Sequence, residues 1–87
     1  MIHARQDYMR IQDPENKIAD DEPVFLLRAK DLLAPDTVRM WSSLCRLGGN
    51  HDLADIAYKW ADRMYEWQQK NGCKNPDMPM NEENITK

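Results

Sequence analysis

The strongest constraint on the fold is the 19-residue stretch Asp52–Lys70, DLADIAYKWADRMYEWQQK, in which apolar residues recur with helical spacing. At about 100° per residue, a broad apolar stripe collects on one side of this helix. Its members are Leu53, Ile56, Ala57, Trp60, Met64 and Trp67. A second, smaller stripe lies nearly opposite and comprises Tyr58, Ala61 and Tyr65. Two opposed stripes predict a helix with one neighbour in its own chain and another elsewhere.

The residues before this stretch predict a partner helix. Pro35 suits a first helical turn, where its missing N–H would have had no partner. A helix over 35–47 ends at Gly48-Gly49, because glycine supplies the left-handed geometry of a helix C-terminus. The second helix covers 51–71, and the short loop between the two implies an antiparallel helical hairpin.

The remaining segments are predicted to be less regular. Residues 3–12 predict a short helix of weak amphipathicity. Four apolar residues follow Pro23, and the segment 24–30 is predicted to be an extended arm, paired with the same arm of another subunit. Periodicity does not decide whether this arm is a strand. The tail 73–87 is predicted to be flexible. The predicted fold class is therefore all-α: one oligomeric helical domain over 1–72 with an extended arm.

Size and composition limit the classes of function. Eighty-seven residues form one domain, which is only marginally stable as a lone monomer. The net charge of −3 argues against non-specific binding to DNA or to an anionic membrane. No apolar run approaches the ~18 residues of a membrane span, and no signal peptide is recognisable, so a cytoplasmic protein is expected. Cys45 and Cys73 are expected to be free thiols, and no metal or cofactor is expected.

The charge is uneven along the chain, which suggests where an anion would bind. Residues 1–22 carry three basic and six acidic side chains, whereas residues 23–47 carry four basic and two acidic ones. The second segment contains a motif with two guanidinium groups two helical turns apart and two hydroxyls between them. Such groups hold phosphate oxygens by charge-assisted hydrogen bonds. The motif is Arg39, Ser42, Ser43 and Arg46, and its alternative interpretation is an ordinary solvated helix face.

Four further residues are candidates for ligand binding. Arg28 and Lys30 follow the apolar arm and could line a pocket mouth, or they could be surface charges that stop the arm from pairing further. Arg63 lies beside Trp60 and could stack under a base, or lay its stem over the core. Tyr8 could close over a ligand, or pack against the hairpin.

The smaller stripe on the second helix predicts an oligomer interface. Tyr58 and Tyr65 flank the small Ala61, an arrangement typical of a self-association surface. Phe25 in the extended arm is assigned to the same interface. The alternative is that the stripe packs against the N-terminal segment of its own chain.

The segment DEPVFLLRAKDLLAPDTVRMW, residues 21–41, and RIQDP, residues 10–14, resemble a family of small tailed-phage accessory proteins with no settled activity. The resemblance covers about residues 6–70. It supplies no catalytic or binding residues. It implies an accessory phage protein that acts in the cytoplasm of a bacterial host.

The chain contains no glycine-rich phosphate loop and no recognisable arrangement of nucleophile, histidine and acid, so a binder is favoured over an enzyme. The leading hypothesis is a counter-defence homo-oligomer that sequesters a phosphorylated nucleotide-type signalling molecule in intersubunit pockets. The alternative is an inhibitor that binds a host defence or regulatory protein directly through acidic, partly nucleic-acid-mimicking surfaces. Neither hypothesis involves a membrane or direct DNA binding.

Overall fold

The computed structural model describes residues 1–4 and 12–75. The chain divides into two compact units. Of the described residues, those up to Leu26 belong to the first unit and those from Leu27 onward belong to the second.

The first unit contains a small parallel sheet. Strand β1 is Ile2–His3 and strand β2 is Pro23–Val24, with Ile2 opposite Pro23 and His3 opposite Val24. The amide of Ile2 donates to the carbonyl of Glu22 at 2.7 Å. The first residues of the chain are thereby tied to a segment about twenty positions away.

This sheet corrects two of the sequence-based predictions. The helix expected over 3–12 does not begin at His3, which lies in β1, and residues 5–11 of that prediction fall outside the described part of the chain. Val24, expected to pair with another subunit, pairs with its own chain. A two-residue strand is too short to produce an alternating pattern, so periodicity could not indicate it. The fold is mostly helical with a two-stranded sheet rather than all-α.

The second unit is built on two helices, α1 at Ala34–Leu47 and α2 at His51–Asn71. The side chain of Asn50 accepts a hydrogen bond from the third amide of α2 at 3.2 Å, as an N-cap does. Gly49, between the helices, and Gly72, after α2, have φ angles of 89° and 79°, which glycine adopts without strain. Helix α1 begins one residue before its expected start, and α2 has its expected bounds.

The helices pack antiparallel through small side chains. Among the described residues, every buried hydrophobic side chain is an alanine, and we call this set the alanine seam: Ala34, Ala54, Ala57 and Ala61. Buried Ser42 of α1 donates its hydroxyl to the carbonyl of Ala54 at 2.5 Å. Side chains this small allow two helix backbones to approach closely.

The seam corrects the assignment of faces on α2. Ala61, expected on a self-association surface with Tyr58 and Tyr65, is fully buried inside the hairpin. The broad stripe assigned to the core instead leaves most of its large side chains exposed. The reason is that the helices meet along the small residues Ala54, Ala57 and Ala61, of which Ala57 was counted in the broad stripe and Ala61 in the smaller one. Close fit between backbones, rather than the amount of apolar surface, determines which side of α2 faces α1.

A buried glutamine joins α2 to the segment that precedes α1. The side-chain amide of Gln68 donates to the carbonyl oxygens of Ala29 and Asp31 at 2.8 and 2.9 Å. The Asp31 carbonyl also accepts from the amide of Ala34 at 3.0 Å, whereas the Ala29 carbonyl lies outside regular helix and takes its donor from Gln68. Gln68 thus fixes the backbone at 29–31 against the last turn of α2.

The same segment pairs with residues just beyond α2. The amide of Leu32 donates to the carbonyl of Lys74 at 2.8 Å, and the amide of Lys74 donates to the carbonyl of Lys30 at 3.0 Å. The flexible tail over 73–87 stays a prediction, and its second residue, Lys74, is joined by its backbone to the segment before α1. Residues 76–87 lie outside the described part of the chain.

Candidate functional site

The buried contact between the helices divides the hairpin surface into two faces. On each helix, the residue after an inward-facing position is turned about 100° in one sense, and the residue before it about 100° in the other. In antiparallel helices, the same sense of rotation leads to the same side of the pair. The inward-facing positions, buried or half-buried, are Val38, Ser42, Cys45, Ala54, Ala57, Ala61, Met64 and Gln68.

The positions that follow them form what we call the polar face: Arg39, Ser43, Arg46, Asp55, Tyr58, Asp62 and Tyr65. The apolar residues among the positions that precede them form what we call the tryptophan face: Trp41, Leu44, Leu53, Ile56, Trp60 and Trp67. Thr37 and Arg63 also precede inward-facing positions and lie beside this face.

Contacts between the helices establish the polar face as one surface. The guanidinium of Arg39 lies 3.3 Å from the carboxylate of Asp62 across the hairpin and 3.3 Å from that of Asp36 on its own helix. It also lies 5.9 and 5.6 Å from the ring centroids of Tyr58 and Tyr65, within the range of cation–π attraction. Arg39 therefore joins α1 to α2 by charge and by ring contacts.

A second arginine pair lies nearer the loop. The guanidinium of Arg46 donates to the Asp55 carboxylate at 2.7 Å and lies 3.5 Å from Nδ1 of His51. The hydrogen bond from Arg46 lowers the pKa of Asp55 below its ordinary value of 3.8; desolvation opposes this effect, and the positive charges of Arg46, Lys59 and His51 add to it. Both arginines of the predicted phosphate motif thus have carboxylates of their own chain as partners.

The charge balance of the polar face opposes anion binding. Two cations, Arg39 and Arg46, face three carboxylates, those of Asp36, Asp55 and Asp62, so the cluster has a net charge of −1. Of the two hydroxyls in the motif, Ser42 is buried in the hairpin, which contradicts its expected position on a solvated face. The hydroxyl of Ser43 donates to the carbonyl of Arg39 at 3.2 Å.

The other candidate ligand residues do not join this cluster. The Arg28 side chain is exposed, and Nζ of Lys30 lies 6.0 Å from the Trp67 ring. The guanidinium of Arg63 lies 4.6 Å from the Trp60 ring, also beside the tryptophan face. The predicted ligand residues therefore lie on different parts of the surface and do not form one site.

The two remaining predicted functional residues are Tyr8 and Phe25. Tyr8 falls outside the described residues, and Phe25 is an exposed residue of the first unit.

The tryptophan face brings together several large exposed apolar side chains of the hairpin. Trp41, Trp60 and Trp67 are 50, 53 and 42% exposed, and these are all the tryptophans of the chain. Leu44 and Ile56 beside them are also exposed. A contiguous apolar surface of this kind marks a site of association. Sequence reasoning placed these side chains in the core. The small residues at i, i+3 and i+7, Ala54, Ala57 and Ala61, were the signal that could have assigned them to the surface.

Other kinds of site find little support in residues 1–4 and 12–75. Neither helix there combines the length and the apolar character that a membrane span requires. No three metal-binding side chains of the His, Cys, Asp and Glu types come together there. Cys45 is half-buried, Cys73 is exposed, and both are free thiols.

Comparison with known proteins found no matching family model, no matching curated protein and no matching solved structure.

Proposed function

We propose that this chain is a non-enzymatic accessory protein that assembles through its tryptophan face. It acts by binding another molecule and not by catalysing a reaction. The observation that carries the proposal is the division of the apolar residues. Alanines make the buried contact between the helices, while Trp41, Trp60 and Trp67 remain about half exposed.

The energetics of burial favour assembly at this face. Burial contributes roughly 25 cal/mol per Å² of apolar surface, so alanine side chains contribute little, whereas aromatic side chains dominate the stability of cores and interfaces. The hairpin therefore leaves its largest source of hydrophobic stabilisation unused. A protein surface placed over the tryptophan face would supply it.

The polar face supports binding rather than catalysis. Its arginines and carboxylates pair with one another across the hairpin, which is how groups that hold two helices together are arranged. Each arginine has an acid as its direct partner. Neither is left as an unpaired group aimed at a common point, as the donors of an active site are.

The biological setting is proposed from the sequence resemblance described at residues 21–41. It is that of a small phage accessory protein acting in a bacterial cytoplasm, with counter-defence as its role. In such a setting a protein acts by occupying a host component. The net negative charge of the polar face is compatible with an acidic binding surface, which remains exposed when the tryptophan face is covered.

The proposal is tested by the mass of the particle that the tagged chain forms in bacterial cells, measured by native mass spectrometry. We expect a particle heavier than the 10.3 kDa chain. Ile56→Glu places a charge on the tryptophan face and should lose the additional mass, because burying an unpaired carboxylate is costly. Ser43→Glu adds the same charge on the polar face and serves as the matched control. A 10.3 kDa particle for the unaltered chain would contradict the proposal.

A phosphorylated small molecule at the polar face is the second candidate. The observation that favours it is that Arg39 lies between the rings of Tyr58 and Tyr65 on the same face as Arg46. Aromatic rings can stack on a base while arginines hold phosphates. The paired carboxylates count against this candidate, because a phosphate would have to compete with them.

A further inference from the structure

We propose that the tryptophan face is covered by a second copy of this chain, in an antiparallel arrangement that makes a four-helix assembly. The inference rests on the proposed function, since it names the partner that the tryptophan face binds. It is carried by the area of the face, by the spacing of its residues and by the charges along its edge.

The area of the tryptophan face fits a small dimer. If each fully covered aromatic side chain buries about 150–250 Å², the exposed halves of the three tryptophans offer roughly 300 Å². Leu44 and Ile56 are more than 60% exposed and enlarge this surface. A standard interface buries about 800 Å² on each partner, and the aliphatic residues with a polar rim bring the face towards that size. The largest apolar patch on a typical monomer is about 300–600 Å² and is often functional, so the area marks a binding site, and the spacing and the charges name its occupant.

The spacing along α2 fits a helical partner. Leu53, Trp60 and Trp67 recur at intervals of seven residues. A seven-residue apolar repeat is the pattern by which one helix packs lengthwise against another. A second copy supplies such a helix, and a two-fold axis lets the same residues contact each other from both sides.

The charges beside the tryptophan face favour the antiparallel orientation. Asp52 and Lys70 are 18 residues apart, which is five helical turns, so they lie on one line along α2. Both are exposed, and neither forms an ion pair among the residues that the structure describes. An antiparallel copy in this register places Asp52 beside the lysine at 70 of its mate and the N-terminus of each α2 beside the C-terminus of the other, while Lys59 comes opposite the arginine at 63. A parallel copy sets all four of these charges beside their likes.

Sedimentation equilibrium of the purified chain over a micromolar concentration range tests the proposal. The unaltered chain is expected at twice 10.3 kDa. Ile56→Glu is expected at the monomer mass and Ser43→Glu at the dimer mass, with helical circular dichroism retained in each. A monomeric unaltered chain, or a dimer that Ile56→Glu does not weaken, would overturn the proposal.

Charge reversal tests the orientation. Asp52→Lys alone is expected to weaken the dimer roughly three- to tenfold, since the two-fold axis repeats each exposed pair twice. The double variant Asp52→Lys/Lys70→Asp is expected to recover the affinity of the unaltered chain. Failure of the double variant to recover it, with both variants still helical, would overturn the antiparallel arrangement.

The results separate this inference from the proposed function. A purified chain that is monomeric, while the particle from cells contains another protein lost in Ile56→Glu, overturns the second copy as the occupant and leaves the tryptophan face as a binding site. A chain that is monomeric both when purified and when isolated from cells overturns both.

Discussion

At the scale of single residues, the ion pairs of the polar face show how local charge becomes stability. The Arg46–Asp55 pair connects the end of α1 to the start of α2, with both side chains about half exposed. An exposed pair of this kind contributes little to stability, because water screens the charges. Its contribution is nevertheless measurable as a dependence on pH, since the hydrogen bond from Arg46 lowers the pKa of Asp55.

Asp55→Asn should lower the melting temperature slightly at neutral pH. The folded-state pKa of Asp55 lies below its unfolded value of 3.8, so the stabilisation is fully present above pH 3.8 and is lost as the pH falls through the folded-state pKa. Thermal melts of the two proteins between pH 7 and pH 2 are expected to converge at the acidic end. A difference in melting temperature that stays constant over this range would show that the carboxylate charge of Asp55 is not the cause.

At the scale of secondary-structure elements, the hairpin could be predicted from sequence, but its orientation could not. Pro35, the glycines after α1 and the apolar periodicity mark where helices begin and end, because those signals are local. The side of α2 that meets α1 depends on how closely two backbones can approach. A ranking of residues by hydrophobicity assigns Trp60 to the core, whereas in the structure Ala61 is buried and Trp60 is exposed.

The attachment of α2 to the preceding segment depends on one buried side chain. Gln68→Leu should destabilise the hairpin by about 1–3 kcal/mol, because the carbonyl of Ala29 loses its donor and that of Asp31 loses one of two. Urea unfolding followed by circular dichroism, at one fixed chain concentration, measures this loss. The exposed neighbour provides the control, and Gln69→Leu is expected to change stability by less than about 0.5 kcal/mol. Equal effects of the two substitutions would contradict the role given to Gln68.

At the scale of the whole molecule, the features that could be predicted are local in sequence, and those that could not are contacts between residues far apart in the chain. The pairing of Ile2–His3 with Pro23–Val24 and that of Asp31 with Lys74 join residues far apart in the chain through backbone atoms. The pattern of side chains cannot predict such backbone hydrogen bonds when the paired segments are this short. The basic middle third of the sequence likewise does not become a basic surface, because acids of α2 lie opposite its arginines.

The phosphorylated-ligand hypothesis requires an anion to bind to a polar face of net negative charge, and this can be tested. That hypothesis predicts a higher melting temperature with one member of a panel of nucleotides and cyclic oligonucleotides, because a ligand at about 100 times its Kd adds about 2.7 kcal/mol. Arg46→Gln should diminish the rise, and Lys59→Gln, an exposed change outside the polar face, should preserve it. Unchanged melting with every nucleotide would contradict the hypothesis.

The alanine seam has a consequence for how such a chain can evolve. The side chains that let the two helices meet are few and small, and they are different from those that would bind a partner. Substitutions among the tryptophans and their aliphatic neighbours can therefore alter partner choice while the hairpin still forms. Enlarging an alanine of the seam would force the helices apart. Selection should therefore tolerate substitutions on the tryptophan face and remove those in the alanine seam.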